Sequence, residues 1–379
     1  MSRIAKLLLL VAVLLLPFSI TTAQDDELVD QTFLLTFIPN IQFSPTYAAI
    51  ANGHFAEAGF NVTIEHLDEP VVVDLIASNQ RQFGIVSGEQ VIMARSGGRP
   101  IVYLYEWFQQ YPVGVVIPEN SDIETVADLA GRNVGIPGRF GASYSGLTAL
   151  LATNGLTEQD IDLEEIGFFA PDVVCVGGVE ASVVYLNNEP LQIEQRAEQG
   201  ECGDVTGVRV LPVAAEVDLV SNGLVTNEET IANQPEMVAA FVAAYHQGLQ
   251  DVINNPAEAY LISLDYVDNL PISDELQAAL EAEAAAQEEF LATNPDREAI
   301  AESRQAMYDR LHEQFSSEEL IQLQVLLKSI ELWDAEQLGV TELASWEAAQ
   351  NTLLEMGFLN EPIDLEAAFT NEFVPGFEE

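Results

Sequence analysis

The chain has 379 residues, with 61 aspartates and glutamates against 13 lysines and arginines, and a formal net charge of −48. At roughly 150 residues per domain this is material for two to three domains, and 48% apolar with 8% aromatic residues supplies real cores rather than a disordered acidic polymer. A surface this negative repels phosphate backbones and anionic bilayers, which excludes nucleic acids and acidic lipid surfaces as partners. The only lysines are Lys6 and Lys328. A lysine-poor acidic surface suits high salt and suits equally a family that tolerates acidic helices, so the charge bears on solubility rather than on a site.

Taken from the N-terminus, residues 1–23 read as an export signal. Arg3 and Lys6 precede an apolar run over 7–18 broken only by Pro17, and Thr21-Thr22-Ala23 offers a small-residue cleavage point before Gln24. The run is shorter than the ~20 residues a spanning helix needs. No cysteine follows it, so no lipid-anchor signal is written there, and no later apolar run approaches membrane length. The mature chain is expected to be secreted or periplasmic, without a transmembrane segment.

Apolar, β-rich runs then alternate with helical patterns, the mark of α/β layering. The spacing predicts strands over 32–38, 61–66, 83–86, 101–106 and 113–117, with helices from Ser44-Pro45 to about Gly59, over 71–78 and over 90–95. Beyond Pro118 the pattern restarts, with helices over 126–130, 143–154 and 190–199. Strands are expected over 133–136, 162–167, 181–185, 208–213 and 219–225. From Glu228 onward the chain reads as nearly all helical and acidic. Two α/β halves with crossings near Pro118 and Val217 imply two lobes: 24–118 and 217–379 in the first, 119–216 in the second. A cleft between such lobes is the expected ligand site, because strand ends and helix N-termini meet there.

The chemistry concentrates in loops after strands. Asn40, Gln42, Phe43 and Tyr47 follow the first strand, and Ser87-Gly88-Glu89 opens a helix. Trp107 and Phe108 follow the strand that carries Tyr105. Aromatics gathered on loops suit a flat guest, while the alternative for each is a plug in the core beneath. The turn Gly138-Arg139-Phe140-Gly141-Ala142, leading to Tyr144, opens a helix whose free N–H groups suit an anion, a carbonyl or hydroxyl oxygens. Arg139 is either a ligand donor or half of an ion pair. Tyr185-Leu186-Asn187-Asn188-Glu189-Pro190 places amides and a carboxylate before a helix. Asn188 and Glu189 are suited to reading the edge of a nitrogen heterocycle, or to capping that helix.

Enzyme signatures are thin. His54, His66, His246 and His312 show no H-x-x-H or H-E-x-x-H spacing, so no zinc site is expected. The sequence 141–145 misses the G-x-S-x-G elbow at its last position, and no dinucleotide or Walker loop is present. Cys175 and Cys202, in an oxidising compartment, are either bridged or a pair of buried thiols.

These pieces together resemble the NMT1/THI5-like (SsuA/THI5-like) superfamily. The resemblance rests on Phe37-Ile38-Pro39-Asn40, Tyr47 through Phe55, 83–89, Asp128-Leu129-Ala130-Gly131 and the 137–141 turn, over roughly 32–260. It implies an α/β, two-lobed periplasmic-binding-protein fold of the type II kind with a helical C-terminal extension. It also implies a non-enzymatic, monomeric solute receptor for an ABC importer, partnered by a transporter permease and needing no cofactor. The similar members handle thiamin pyrimidine precursors or riboflavin. One branch of the superfamily is a synthase that uses pyridoxal phosphate and carries a cysteine cluster in the segment matching 217–227, a stretch without cysteine here. A sulfonate or nitrate receptor on the same fold would want a cation-lined pocket. On this reading the ring stacks on Phe43, Tyr47, Tyr105, Trp107, Phe108 and Tyr144. Its edge is read by Gln42, Asn188 and Glu189, and its polar tail is held by 138–142 with Arg139. Asn40, Ser87, Gly88, Glu89, Phe140 and Tyr185 complete the expected site.

Overall fold

In the computed structural model, which describes residues 28–268 and 270–378, the first strand already states the plan. Phe33 and Leu35 of β1 (Val29–Thr36) face one hydrophobic layer and Leu34 faces the other. A strand buried on both faces belongs in a sheet with helices above and below. The chain supplies α1 (Ser44–Ala51), α2 (His54–Glu57), β2 (Phe60–Leu67), α3 (Glu69–Ala77), β3 (Phe83–Ser87), α4 (Gly88–Ser96) and β4 (Ile101–Glu106). The expected export signal, 1–23, lies outside the described residues.

A second α/β unit follows, in the order β5 (Val113–Pro118), β6 (Asn133–Ile136), α5 (Gly141–Thr153), β7 (Asp162–Glu165), α6 (Ala170–Cys175), β8 (Ala181–Tyr185), α7 (Glu189–Glu198) and β9 (Val208–Pro212). β10 (Asn222–Asn227) then returns to the first sheet. The strand orders are β2-β1-β3-β10-β4 and β7-β6-β8-β5-β9. In each sheet one strand runs antiparallel to both neighbours, and it is the strand that follows a crossing: β10 in the first sheet, β5 in the second. The boundary read after Pro118 is therefore displaced. Val113–Pro118 pairs inside the second sheet, so the chain crosses at 107–112, and Pro118 ends a strand rather than a lobe. The return crossing, 213–221, includes Val217.

The remaining helices are α8 (Glu228–Asn233), α9 (Pro235–Asn254), α10 (Pro256–Ser263), α11 (Asp274–Leu291), α12 (Arg297–His312), α13 (Ser317–Trp333) and α14 (Leu343–Glu355). Their apolar faces make them part of the first lobe's two layers rather than an appendage. Phe241 of α9 stacks on Phe83 at 3.8 Å and meets Phe33 at 5.1 Å. Leu323, Leu326 and Ile330 of α13 join that layer, and Trp346 of α14 covers Tyr103 on the opposite face. Past Glu355 the chain is no longer helical. Tyr103 N–H donates to Ala368 O, Thr370 N–H to Tyr103 O and Glu106 N–H to Gly339 O, which covers the open edge of β4. In the second lobe Cys175 and Cys202 are joined by a disulfide within a small separate core.

α1 and α9 approach closely because Gly248 has no side chain: a Cβ there would lie 2.3 Å from Pro45 O and 2.6 Å from Ala49 Cβ. In a helix, Gly→Ala normally gains ~1 kcal/mol of propensity. Here overpacking prevails, and Gly248→Ala is expected to lower stability by about 1–3 kcal/mol in urea titrations. An unchanged or raised midpoint would show that α9 can move away from α1 without loss.

Candidate functional site

The two crossings lie side by side, because the backbone N–H groups of Trp107 and Phe108 both donate to Asn222 O at 3.1 Å. They form the floor of a cleft between the lobes. The first lobe contributes Thr36, Phe37, Gln42, Phe43, Asp68 and Glu69 to its walls. The second contributes Pro137, 140–143, Gly167, Phe168, Ala170, 183–185 and Glu189. The cleft holds about 860 Å³ of empty space, its open mouth included. It is a slot lined from both lobes.

Aromatic rings form much of that slot. Trp107 packs between Phe43 and Trp333, with ring centroids 5.5 Å away on each side, and lies 4.6 Å from Phe108. The indole N–H of Trp107 is buried and has no hydrogen-bond partner among the described residues. Phe37 of the first lobe meets Phe168 of the second edge-on at 4.6 Å. These two rings separate the slot from an outer polar pocket lined by Asn40, Asn188, Gln192 and Arg196. Phe37 has a φ of 97°, a strained value for a non-glycine residue, and its carbonyl accepts from His66 Nδ1–H at 2.8 Å.

Buried carboxylates supply the polarity. Glu69, at the start of α3, accepts from Ser87 N–H and Ser87 Oγ–H, both at 2.6 Å, and its other oxygen lies against Gly141 at the start of α5 across the cleft. Burial raises its pKa, while these donors pull the other way. Glu89, in the first turn of α4, accepts only from Tyr111 Oη–H, at 2.9 Å, among its side-chain partners shorter than 3.5 Å. Burial, with the charge of Glu69 nearby, pushes Glu89 up to about 8. Glu89 thus keeps its proton at neutral pH. Glu189 accepts from Tyr185 N–H at 2.9 Å and from the Asn188 amide at 3.2 Å, and burial raises its pKa as well. Tyr185 Oη–H donates to Asn222 Oδ1 at 3.0 Å, linking the second lobe to the floor.

Of the residues singled out in the sequence, Gln42, Phe43, Trp107, Phe108, Phe140, Tyr185 and Glu189 line the slot. Ser87, Gly88 and Glu89 lie beneath it: Ser87 holds Glu69, and Gly88 gives way to Val220, 2.3 Å from where its Cβ would be. Asn40 and Asn188 line the outer pocket, and Gly138 makes room for the Phe140 ring. Four expectations are corrected. Arg139 faces away from the slot and pairs with Glu158 at 2.9 Å and Glu165 at 2.5 Å, because acids outnumber cations around it. Tyr144 donates to Glu158 at 2.6 Å and stacks on Phe358. Tyr47 stacks on Tyr266 at 4.5 Å within the core. Tyr105 is buried against Gly339 and shares a 2.9 Å hydrogen bond with His246.

Sequence reading passed over Phe168, Glu69 and Asn222, and it quoted Phe37 and Asn187 only within longer motifs. Asn187, from the second lobe, donates to Gln42 at 2.8 Å and to Ser329 at 2.7 Å in the first, so the amide expected to read a guest is partly engaged. Glu69 had a usable signal, since Glu69-Pro70 opens a helix as Glu189-Pro190 does. Phe168 had none, being one apolar residue in a turn. Among the described residues no cluster of three or more His, Cys, Asp or Glu could hold a metal ion, and no helix is long and apolar enough to cross a membrane.

Comparison with known proteins adds to this geometry. The family model described as NMT1/THI5 like matches residues 40–259. The chain is 31% identical to riboflavin-binding protein RibY of Chloroflexus aurantiacus, over 91% of this chain and 86% of that protein. It is 29% identical to the formylaminopyrimidine-binding protein of Halalkalibacterium halodurans, over 71% and 81%. It is 24% identical to a 4-amino-5-hydroxymethyl-2-methylpyrimidine phosphate synthase of Legionella pneumophila, over 60% and 71%. The crystal structure of the alkanesulfonate-binding protein SsuA from Xanthomonas axonopodis pv. citri superposes with a TM-score of 0.51 at 16% identity, covering 73% of this chain and 98% of that one. The chain thus has the two-lobed α/β periplasmic-binding-protein fold.

The Glu89 proton gives a test of the buried carboxylates. Folded, the group keeps its proton to about pH 8, whereas its unperturbed value is 4.5. Between those values unfolding releases a proton, so stability falls as pH rises, by about 1.4 kcal/mol per pH unit for one full proton. Glu89→Gln mimics the protonated acid and is expected to flatten the fall in unfolding free energy between pH 5.5 and 7.5 relative to wild type. Parallel wild-type and mutant profiles would show that Glu89 is ionised in the fold.

Proposed function

The chain belongs to the NMT1/THI5-like family, and on that premise we propose that it is an extracytoplasmic solute-binding protein of an ABC importer. Its lobes close on a flat nitrogen-heterocyclic vitamin or precursor, riboflavin or a thiamin pyrimidine precursor, and release it unchanged to a permease. The observation that carries this reading is the wall of the slot, where Phe43, Trp107, Phe108, Phe140 and Tyr185 come together. A planar guest exchanges water for aromatic faces there, each pair contributing about 0.5–1.5 kcal/mol beyond buried area. Ring N–H groups need acceptors once desolvated, and Glu189, Gln42 and Asn222 offer them at the walls and floor. The Trp107 indole N–H is a donor suited to a ring carbonyl.

The paired crossings support opening and closure by rotation about 107–112 and 213–221. The pattern of 1–23 supports export, and the two relatives named as binding proteins support the ligand class. A sulfonate or nitrate reading is disfavoured because, among the described residues, no lysine or arginine lines the slot. The synthase reading is disfavoured by the absence of cysteine from 217–227.

A thermal-shift panel of riboflavin, hydroxymethylpyrimidine, formylaminopyrimidine, thiamin and an alkylsulfonate tests the proposal on the exported chain. A ligand bound to the folded state alone at 100 times its Kd adds about 2.7 kcal/mol of stability. One heterocycle is expected to raise the midpoint, and Phe108→Ala to weaken its Kd by about tenfold. A shift from the sulfonate alone, or from nothing in the panel, would overturn the proposal.

A further inference from the structure

We propose that Glu69 is an internal substitute for a ligand anion, and that it restricts the cleft to the uncharged, unphosphorylated form of its heterocyclic guest. The inference rests on the heterocycle-binding reading above and adds what the guest cannot carry. The start of α5, a helix of 13 residues, faces the slot through Gly141, Ala142 and Ser143. Free N–H groups and the positive end of the helix dipole make such a terminus a seat for phosphate or sulfonate. Here the seat is taken. Gly141 has a φ of +65°, and a Cβ on it would lie 2.3 Å from Glu69 Oε2. The carboxylate lies against Gly141 at the start of α5, while Ser87 N–H and Oγ–H fix its other oxygen from behind at 2.6 Å. The absence of a side chain at Gly141 is what admits a carboxylate from the opposite lobe.

The surroundings offer an anion no second place. Arg139, the cation next to the turn, is committed to Glu158 and Glu165. Arg196, in the outer pocket beyond Phe37 and Phe168, is paired with Asp172 at 2.8 Å. Glu69 and Glu189 both line the slot, so a phosphate entering it would meet carboxyls and, among the described residues, no free cation. A neutral ring bearing hydroxyls meets no such penalty.

The experiment measures affinities of the full exported chain for two pairs, riboflavin with its 5′-phosphate and hydroxymethylpyrimidine with its phosphate. Inorganic phosphate serves as a separate thermal-shift probe. For whichever pair binds, the phosphorylated member is expected to be weaker by roughly a hundredfold in wild type. Glu69→Gln, which keeps the shape and removes the charge, is expected to narrow that ratio by about tenfold or more. Equal wild-type affinities for both members overturn the inference, as does an unchanged ratio in a folded Glu69→Gln chain. Should Glu69→Gln fail to fold, the wild-type ratio alone decides. Should no heterocycle bind, the proposed function fails by itself. The phosphate arm then decides for Glu69: a shift in Glu69→Ser but not in wild type supports the inference, and a shift in wild type, or in neither protein, ends it.

Discussion

One backbone carbonyl holds the two lobes in register. Asn222 O accepts from both Trp107 N–H and Phe108 N–H, which fastens the outgoing crossing to the returning one. Each crossing feeds a strand into the interior of the far sheet, β5 between β8 and β9 and β10 between β3 and β4. Neither lobe can complete its sheet without a strand that has just passed the hinge. The side chains of 107–108 are therefore set by backbone pairing, and they arrive at the cleft floor whether or not a guest is present.

Electrostatics around the floor follow from unequal solvation of similar groups. Glu69 and Glu89 are both buried, yet Glu69 accepts two 2.6 Å hydrogen bonds from Ser87 while Glu89 has the Tyr111 phenol at 2.9 Å. Donors to Glu69 oppose the rise that burial imposes on it, while burial and the charge of Glu69 nearby push Glu89 up to about 8. Tyr111 Oη–H also lies 2.9 Å from Ala142 O, so the same helix start touches both members of the pair. The consequence is a cleft that is polar at its rim, aromatic along its faces and occupied by Glu69 at the helix terminus.

The closed arrangement is held by several interlobe contacts of different kinds. Phe37 meets Phe168 at the mouth, Asn187 donates to Gln42 and Ser329, and Glu69 reaches α5. Individually such contacts contribute little once competing water is counted. Arranged around the slot, they join its two walls. The strained backbone of Phe37 sits at that mouth, held by His66.

The sequence alone determined the α/β alternation, the restart that makes two lobes, and the loops that carry Phe43, Trp107, Phe108, Phe140 and Glu189. These are written in local periodicity and in aromatics placed after strands, which chain neighbours suffice to express. It did not determine the direction of single side chains at those loops. Arg139 lay in the right turn, but the acids that claim it, Glu158 and Glu165, are brought alongside only when the second lobe folds. Tyr47 and Tyr105 have the composition of a binding face and the position of a core. Only the tertiary structure decided that β5 belongs to the second sheet, that the C-terminal helices complete the first lobe, and that Glu69 fills the helix start. Each of these depends on pairing between segments far apart in the chain, and no local pattern encodes which distant partner a strand edge, an apolar face or a carboxylate will meet.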